Sequence, residues 1–213
     1  KFLRDSMLNS KRNKDDRTTL ENRWTMIYQN SQKSQFYSLI QNELSLIPKS
    51  KLVLEYGCSI GIMSNFLANF HNIVFGIDRS FSAISLAKKT QKNNMDYFVA
   101  DSLSPIFGKI KFDLILALNI LEFIEPNDLL KHAYQQISKG TFVISDPYDF
   151  DRGKNSVKKP LNELSLRTSI EEIGFNILTK TKKPSYLPWS LKLNSRATLN
   201  YKVDLIIAKK GYP

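Results

Sequence analysis

From Lys51 onward the chain alternates short apolar runs with helix-length segments, and this alternation constrains the fold more than any other feature. Lys51 to Glu55, Ile73 to Asp78, Met95 to Ala100, Phe112 to Leu118 and Gly140 to Ser145 read as buried strands. Helical spacing marks Ile62 to Phe70, Phe81 to Lys92, Asn127 to Ile137 and Leu161 to Ile173. Ser80 is placed to cap the start of one helix, and Gly174 to close the end of another. Repeated strand–helix units cross over with one hand and build a mostly parallel sheet covered by helices on both faces. Phe175 to Thr181 and Lys202 to Lys209 follow each other with no helix between them, so they are expected as an antiparallel hairpin at the sheet edge. The predicted fold is α/β, doubly wound, with seven strands. The segment 184–201 is expected as a lid-like loop, since it exceeds the usual connection length.

Ahead of the sheet, Trp24, Ile27, Tyr28, Phe36, Leu39, Ile40 and Leu44 fall at helical spacings, and Pro48 ends the run. Residues 1–47 therefore read as a polar tail over 1–20 followed by a helical cap, and residues 48–213 as the sheet domain. The longest apolar run, Leu114 to Ile124, contains Asn119 and Glu122 and is about half the ~20 residues that a membrane span requires. The N-terminus is charged, without a secretory pattern. A single cysteine, Cys58, allows no internal disulfide, which suits a reducing cytoplasm.

The net charge is +11, and its distribution matters more than its size. Residues 21–150 carry twelve basic and twelve acidic side chains, whereas residues 151–213 carry thirteen against five. The surplus thus lies outside the strand–helix core. Such a flank suits RNA or simply a solvated lysine-rich face.

In an open parallel sheet, ligands bind at the carboxyl ends of the strands. The residues that follow the strands here are Glu55 to Gly61, Asp78, Asp101, Asn119 and Asp146. The first segment reads Glu-Tyr-Gly-Cys-Ser-Ile-Gly. Gly57 permits a sharp turn, and Gly61 lets a helix start close to a ligand. A dinucleotide loop needs further glycines where Ser59 and Ile62 stand, and no Gly-Lys-Ser/Thr follows, so NAD, FAD and P-loop readings are disfavoured. His71 and His132 lie away from the strand ends, and no metal-ligand spacing is present.

The Glu-x-Gly-x-x-x-Gly turn after a first strand resembles motif I of the class I (Rossmann-like) S-adenosylmethionine-dependent methyltransferases. Asp78 lies 23 residues after Glu55, at the end of the second strand. Asp101-Ser102-Leu103 after the third strand, Asn119-Ile-Leu-Glu122 after the fourth, and the Gly174-Phe175 closure are similar to further stretches of that family. The resemblance implies S-adenosyl-L-methionine as cofactor and S-adenosyl-L-homocysteine as product. Its contacts would come from Glu55, Gly57, Cys58, Ser59 and Gly61 near the methionine part. Asp78 and Arg79 would serve the ribose, and Asp101, Ser102 and Leu103 the adenine, with Asn119 and Leu121 closing the set.

An acceptor pocket is expected above the fourth and fifth strands. Tyr28, Asn119, Asp146, Tyr148, Tyr186 and Trp189 are its candidate contacts, and Asp146 and Tyr148 the candidates for catalysis. A small molecule offering N or O is the leading acceptor. The alternatives are an RNA or protein methyltransferase using the basic segment 151–213, and a non-catalytic Rossmann-like module that binds a partner.

Overall fold

The computed structural model describes residues 14–151 and 156–211. Two helices come first, α1 (Lys14–Asn30) and α2 (Gln35–Ser45). α1 therefore begins inside the stretch expected as a tail, whose residues 1–13 lie outside the described part. The sheet domain then runs β1 (Leu52–Tyr56), α3 (Ile62–Leu67), β2 (Ile73–Asp78), α4 (Phe81–Ala87), β3 (Met95–Val99) and β4 (Phe112–Leu118). It continues with α5 (Pro126–Gln136), β5 (Ile137–Asp146), α6 (Glu163–Ile173), β6 (Asn176–Ile177), β7 (Tyr186–Lys192) and β8 (Thr198–Lys210).

These strands form one sheet in the order β3-β2-β1-β4-β5-β8-β6, with β7 paired to β8. The five strands β1 to β5 are parallel, and β8 runs antiparallel between β5 and β6. The mixed α/β sheet expected from the sequence is present, with one correction. There are eight strands rather than seven, because residues 186–192 are not loop. They pair antiparallel with 198–204, from Tyr186 opposite Asp204 to Lys192 opposite Thr198. β8 is thus 13 residues long and reaches well past the sheet edge to carry β7.

Side chains that alternate along each strand feed two cores. Val53, Val74, Leu114, Leu116 and Val143 face one side, where α2, α3, α4 and β7 cover them. Leu54, Ile77, Ile115, Phe142 and Ile144 face the other, against α5 and α6. A central parallel strand is buried on both faces, which is why Phe112–Leu118 is almost uninterruptedly apolar. Helix ends follow local chemistry. Ser80 Oγ accepts the Ala83 N–H at 3.2 Å, Asn162 and Ser165 form a reciprocal capping box, and Gly174 closes α6 at φ 108°.

A buried ion pair fastens the last helix to the long last strand. Arg167 Nη1 donates to Asp204 Oδ2 at 2.6 Å and Nη2 donates to Oδ1 at 3.0 Å. Asp204 also accepts the Tyr148 hydroxyl at 2.7 Å and the Ser185 N–H at 3.1 Å. Removing one partner leaves the other charge buried and uncompensated. Arg167→Met is expected to lower unfolding free energy by about 3–5 kcal/mol. Chemical denaturation followed by circular dichroism measures it, and a loss below about 1 kcal/mol would contradict the assignment.

Candidate functional site

Strands β1 and β4 are neighbours. The chain leaves β1 toward β2 on one side and leaves β4 toward β5 on the other. A crevice opens at their carboxyl ends, as it does at any such reversal. Here it is a cavity of ≈ 690 Å³. The turn after β1 forms its floor. Gly57 and Gly61 have φ 64° and 79°, and a Cβ at Gly57 would lie 2.5 Å from Ile120 Cγ2. Between them Ser59 holds φ 49°, a left-handed conformation unusual for serine. Its N–H donates to Asp78 Oδ2 at 2.9 Å, while Asp78 Oδ1 accepts the Ser80 N–H at 2.8 Å. One carboxylate at the end of β2 therefore fixes both the turn after β1 and the start of α4, and it keeps lone pairs for a ligand.

Glu55 is fully buried at the end of β1 and accepts a short hydrogen bond from the Ser64 hydroxyl. Burial, only partly offset by Ser64 and reinforced by Asp78 nearby, pushes its carboxyl up to about 8. Burial also raises Asp78, against the pull of its two backbone N–H donors and of Arg79. Arg79 Nε in turn lies 3.7 Å from Asp101 Oδ2. The Cys58 thiol is pushed well up by burial and the same two acids, so it is a packing group rather than a thiolate.

Of the residues expected at a cofactor, Glu55, Gly57, Cys58, Ser59, Asp78, Arg79, Ser102 and Asn119 line this cavity. Gly61, Asp101, Leu103 and Leu121 do not, although they sit directly beside lining residues. Asp101 Oδ1 accepts the Leu103 N–H at 2.9 Å, shaping the turn that presents Ser102. Asn119, at φ 57°, accepts the Ser145 hydroxyl through its Oδ1 at 3.0 Å.

The acceptor candidates divide. Tyr28, Asn119 and Trp189 line the cavity. Asp146 and Tyr148 do not. Asp146 is buried, with Oδ2 accepting the Leu121 N–H at 2.9 Å and Oδ1 the Tyr148 N–H at 2.8 Å. The Tyr148 hydroxyl is committed to Asp204, so both belong to the brace around Arg167. Tyr186 is exposed and donates to Glu163 Oε1 at 2.9 Å. These three side chains, expected among the acceptor contacts, are thus engaged away from the cavity.

Local reading named Tyr28 and Trp189 but missed the rest of the far wall. Trp24 and Thr25 of α1 and Phe36 and Tyr37 of α2 join Tyr28 of α1 and Trp189 of β7 in enclosing the cavity opposite the sheet. The turn between α1 and α2 is fastened to β7 by serine hydroxyls. Ser34 Oγ accepts the Ser190 N–H at 3.0 Å and Ser31 Oγ the Lys192 N–H at 2.8 Å. The helical spacing of the aromatics was the available signal. It could not distinguish core packing from a cavity wall.

The raised Glu55 carboxyl makes stability depend on pH. The folded protein keeps this proton up to about pH 8, whereas the unfolded chain releases it near 4.5. Its contribution is full below 4.5 and is lost as pH rises through about 8. Thermal unfolding should therefore give a melting temperature that falls between pH 5 and 8.5, with a shallower fall in Glu55→Gln. Equal slopes would contradict the buried neutral carboxyl.

Comparison with known proteins agrees with this geometry. Residues 28–180 match the family model described as a methyltransferase domain. The ubiquinone biosynthesis O-methyltransferase of Coxiella burnetii is 32% identical over 105 residues. That match takes in 47% of this chain and 44% of the relative, so less than half of the enzyme's length is represented. In fold, magnesium protoporphyrin IX methyltransferase from Synechocystis PCC 6803, solved with S-adenosylhomocysteine, superposes with TM-score 0.66 at 18% identity over 99% of this chain and 98% of that one. An S-adenosylmethionine-dependent methyltransferase from Listeria monocytogenes gives 0.59 at 18% identity, covering 77% and 91%. With a reversal-point cavity, a glycine turn held by the acid of β2 and a family match over most of its length, the chain belongs to the class I S-adenosylmethionine-dependent methyltransferases.

Proposed function

We propose that the chain holds S-adenosylmethionine at the ends of β1, β2 and β4 and methylates a small organic acceptor enclosed by α1, α2 and β7. The observation that carries this reading is the continuity of one cavity from Asp78 and Ser102 to Tyr28 and Trp189. A walled chamber suits a small acceptor better than an open surface would. The names of the Coxiella and Synechocystis enzymes, which refer to ubiquinone and magnesium protoporphyrin, fit an acceptor of that scale.

The residues present fit the cofactor. The outer lone pairs of Asp78 face the cavity and suit a ribose diol, with Arg79 beside it. Ser102, held by the Asp101–Leu103 turn, suits the adenine, and Asn119 with the backbone to Leu121 borders the methionine end. Gly57 to Gly61 with Cys58 and Ser59 let the backbone approach that end closely. Glu55, buried and bonded to the Ser64 hydroxyl, would give up its raised proton where a positively charged ligand binds.

When bound, the cofactor supplies an electrophilic methyl group on a sulfonium sulfur. The chain's contribution is to align the acceptor with that methyl and to exclude water, which lowers the barrier through orientation. Helices α1 and α2, within the segment 1–47, act as a cap on the domain that begins at residue 48. The hairpin within 184–201 serves as a wall rather than a free lid. The structure contains no described helix that is long and apolar enough to cross a membrane.

Adenosylhomocysteine is expected to copurify with native protein, detected by mass spectrometry of the extracted small molecules. Calorimetry should show Asp78→Asn binding it at least tenfold more weakly, a loss of about 1.4 kcal/mol. Binding of the sulfonium form at pH 7 should release a proton from Glu55, seen as a dependence of heat on buffer ionisation that Glu55→Gln abolishes. No binding of either molecule would overturn the reading and favour a non-catalytic module. Acceptor binding that weakens steeply between about 50 and 200 mM salt would instead point to RNA on the basic segment.

A further inference from the structure

Tyr97 of β3 is buried and does not line the cavity, yet it reaches the turn that shapes it. Across the sheet, Glu55 of β1 stands opposite Gly76 of β2, and Gly76 stands opposite Tyr97. Residues in register place their side chains on one face of the sheet. Gly76 has no side chain to place, so the Tyr97 ring occupies that space and extends toward β1. A Cβ at Gly76 would lie 2.7 Å from two ring carbons of Tyr97 and 2.9 Å from Cys58 Sγ.

The phenol ends at Gly61. Its hydroxyl donates to the Gly61 carbonyl at 3.4 Å, and a Cβ at Gly61 would collide with it. Asn65 Nδ2 donates to the same carbonyl at 2.9 Å and to the Tyr97 hydroxyl at 3.3 Å. Lys92 Nζ, donating to the Asn65 carbonyl at 2.7 Å, ties this group to the segment before β3. The Ser64 hydroxyl, which donates to Glu55, also interacts with the phenol. Burial first, then Glu55 and Cys58 nearby, push the phenol far above its usual range, so it stays a neutral donor.

The turn after β1 is therefore held at two ends by two neighbouring strands. Asp78 of β2 holds the Ser59 N–H, and Tyr97 of β3 stands against Gly61. Gly57, Ser59 and Gly61 are all left-handed, a run of backbone that needs outside support to keep one shape. A rigid ring supplies such support, because it has few torsions through which to yield. The support matters for chemistry, since small misplacements of bound groups slow a reaction that depends on alignment.

Building on the cofactor placement above, we propose that Tyr97 is a positioning residue for the cofactor, which props the Gly61 end of the turn against the methionine part of S-adenosylmethionine. It touches no ligand and acts through Gly61. Gly76 is the space that admits it. A smaller residue at 97 lets the turn sink, and a larger one at 76 drives the ring into it. Either change loosens the methionine end and leaves the nucleoside contacts at Asp78 and Ser102 in place.

Calorimetry of the full chain with S-adenosylhomocysteine and with adenosine, which lacks the methionine part, tests this. Tyr97→Leu is expected to weaken S-adenosylhomocysteine binding at least about tenfold and Tyr97→Phe about threefold, with adenosine affinity unchanged in both. Gly76→Ala should weaken S-adenosylhomocysteine several-fold in the wild-type background and less when Tyr97→Leu is already present. If Tyr97→Leu does not fold, Tyr97→Phe carries the same comparison. Unchanged S-adenosylhomocysteine affinity in the Tyr97 variants overturns the assignment. So does a parallel loss of adenosine binding, which would mark a general packing role, and so do strictly additive effects of the changes at 76 and 97. These three results leave the cofactor site itself standing. Failure of the wild-type chain to bind S-adenosylhomocysteine overturns the positioning role and the proposed function together.

Discussion

Strands β1 and β4 lie side by side while the chain departs from them in opposite directions, and every functional feature depends on that reversal. The crossing helices that fill the space above other strand ends are carried away from this one, so a crevice remains. Backbone N–H groups of the turn after β1 then need partners other than a sheet ladder. Asp78 supplies one for Ser59 and another for Ser80. The same carboxylate that shapes the crevice is thus left at its rim, where a ligand's hydroxyls can reach it.

The opposite wall obeys a different logic. It comes from α1, α2 and β7, none of which belongs to the parallel core. β7 exists only because β8 continues beyond the register it shares with β5 and offers six more residues of edge. The Arg167–Asp204 pair marks the point at which β8 changes partners, and Tyr148 and Ser185 converge on the same carboxylate. A buried pair with that many donors fixes where the extension leaves the sheet. Through it the far wall of the cavity acquires a rigid rear face.

Local sequence reading recovered the parallel core because its signals are local. Phe112–Leu118 is apolar except for Asp113, Ser80 caps a helix and Gly174 ends one. The turn at Gly57 and the acid at Asp78 were legible for the same reason, since each stands directly after a strand. Residues 186–192 were not. Pro188, Ser190 and Lys192 interrupt the apolar pattern, and the strand is stabilised by pairing with β8 rather than by its own composition. Asp146 and Tyr148 stand after a strand too, but their partners, Leu121 and Asp204, are distant in sequence and turn them into supports. Trp24 and Trp189 are 165 positions apart, so no periodicity could reveal that they share a wall.

The serine bonds from Ser31 and Ser34 to β7 join segments 161 and 156 residues apart. During synthesis from the N-terminus, β1 to β5 can pair, and Asp78 can shape its crevice, well before β7 has left the ribosome. The aromatic wall cannot close over that crevice until β7 and the strand that carries it are both present. Two stages of assembly follow from this connectivity: the crevice is shaped first, and its far wall is added only when the C-terminal strands arrive.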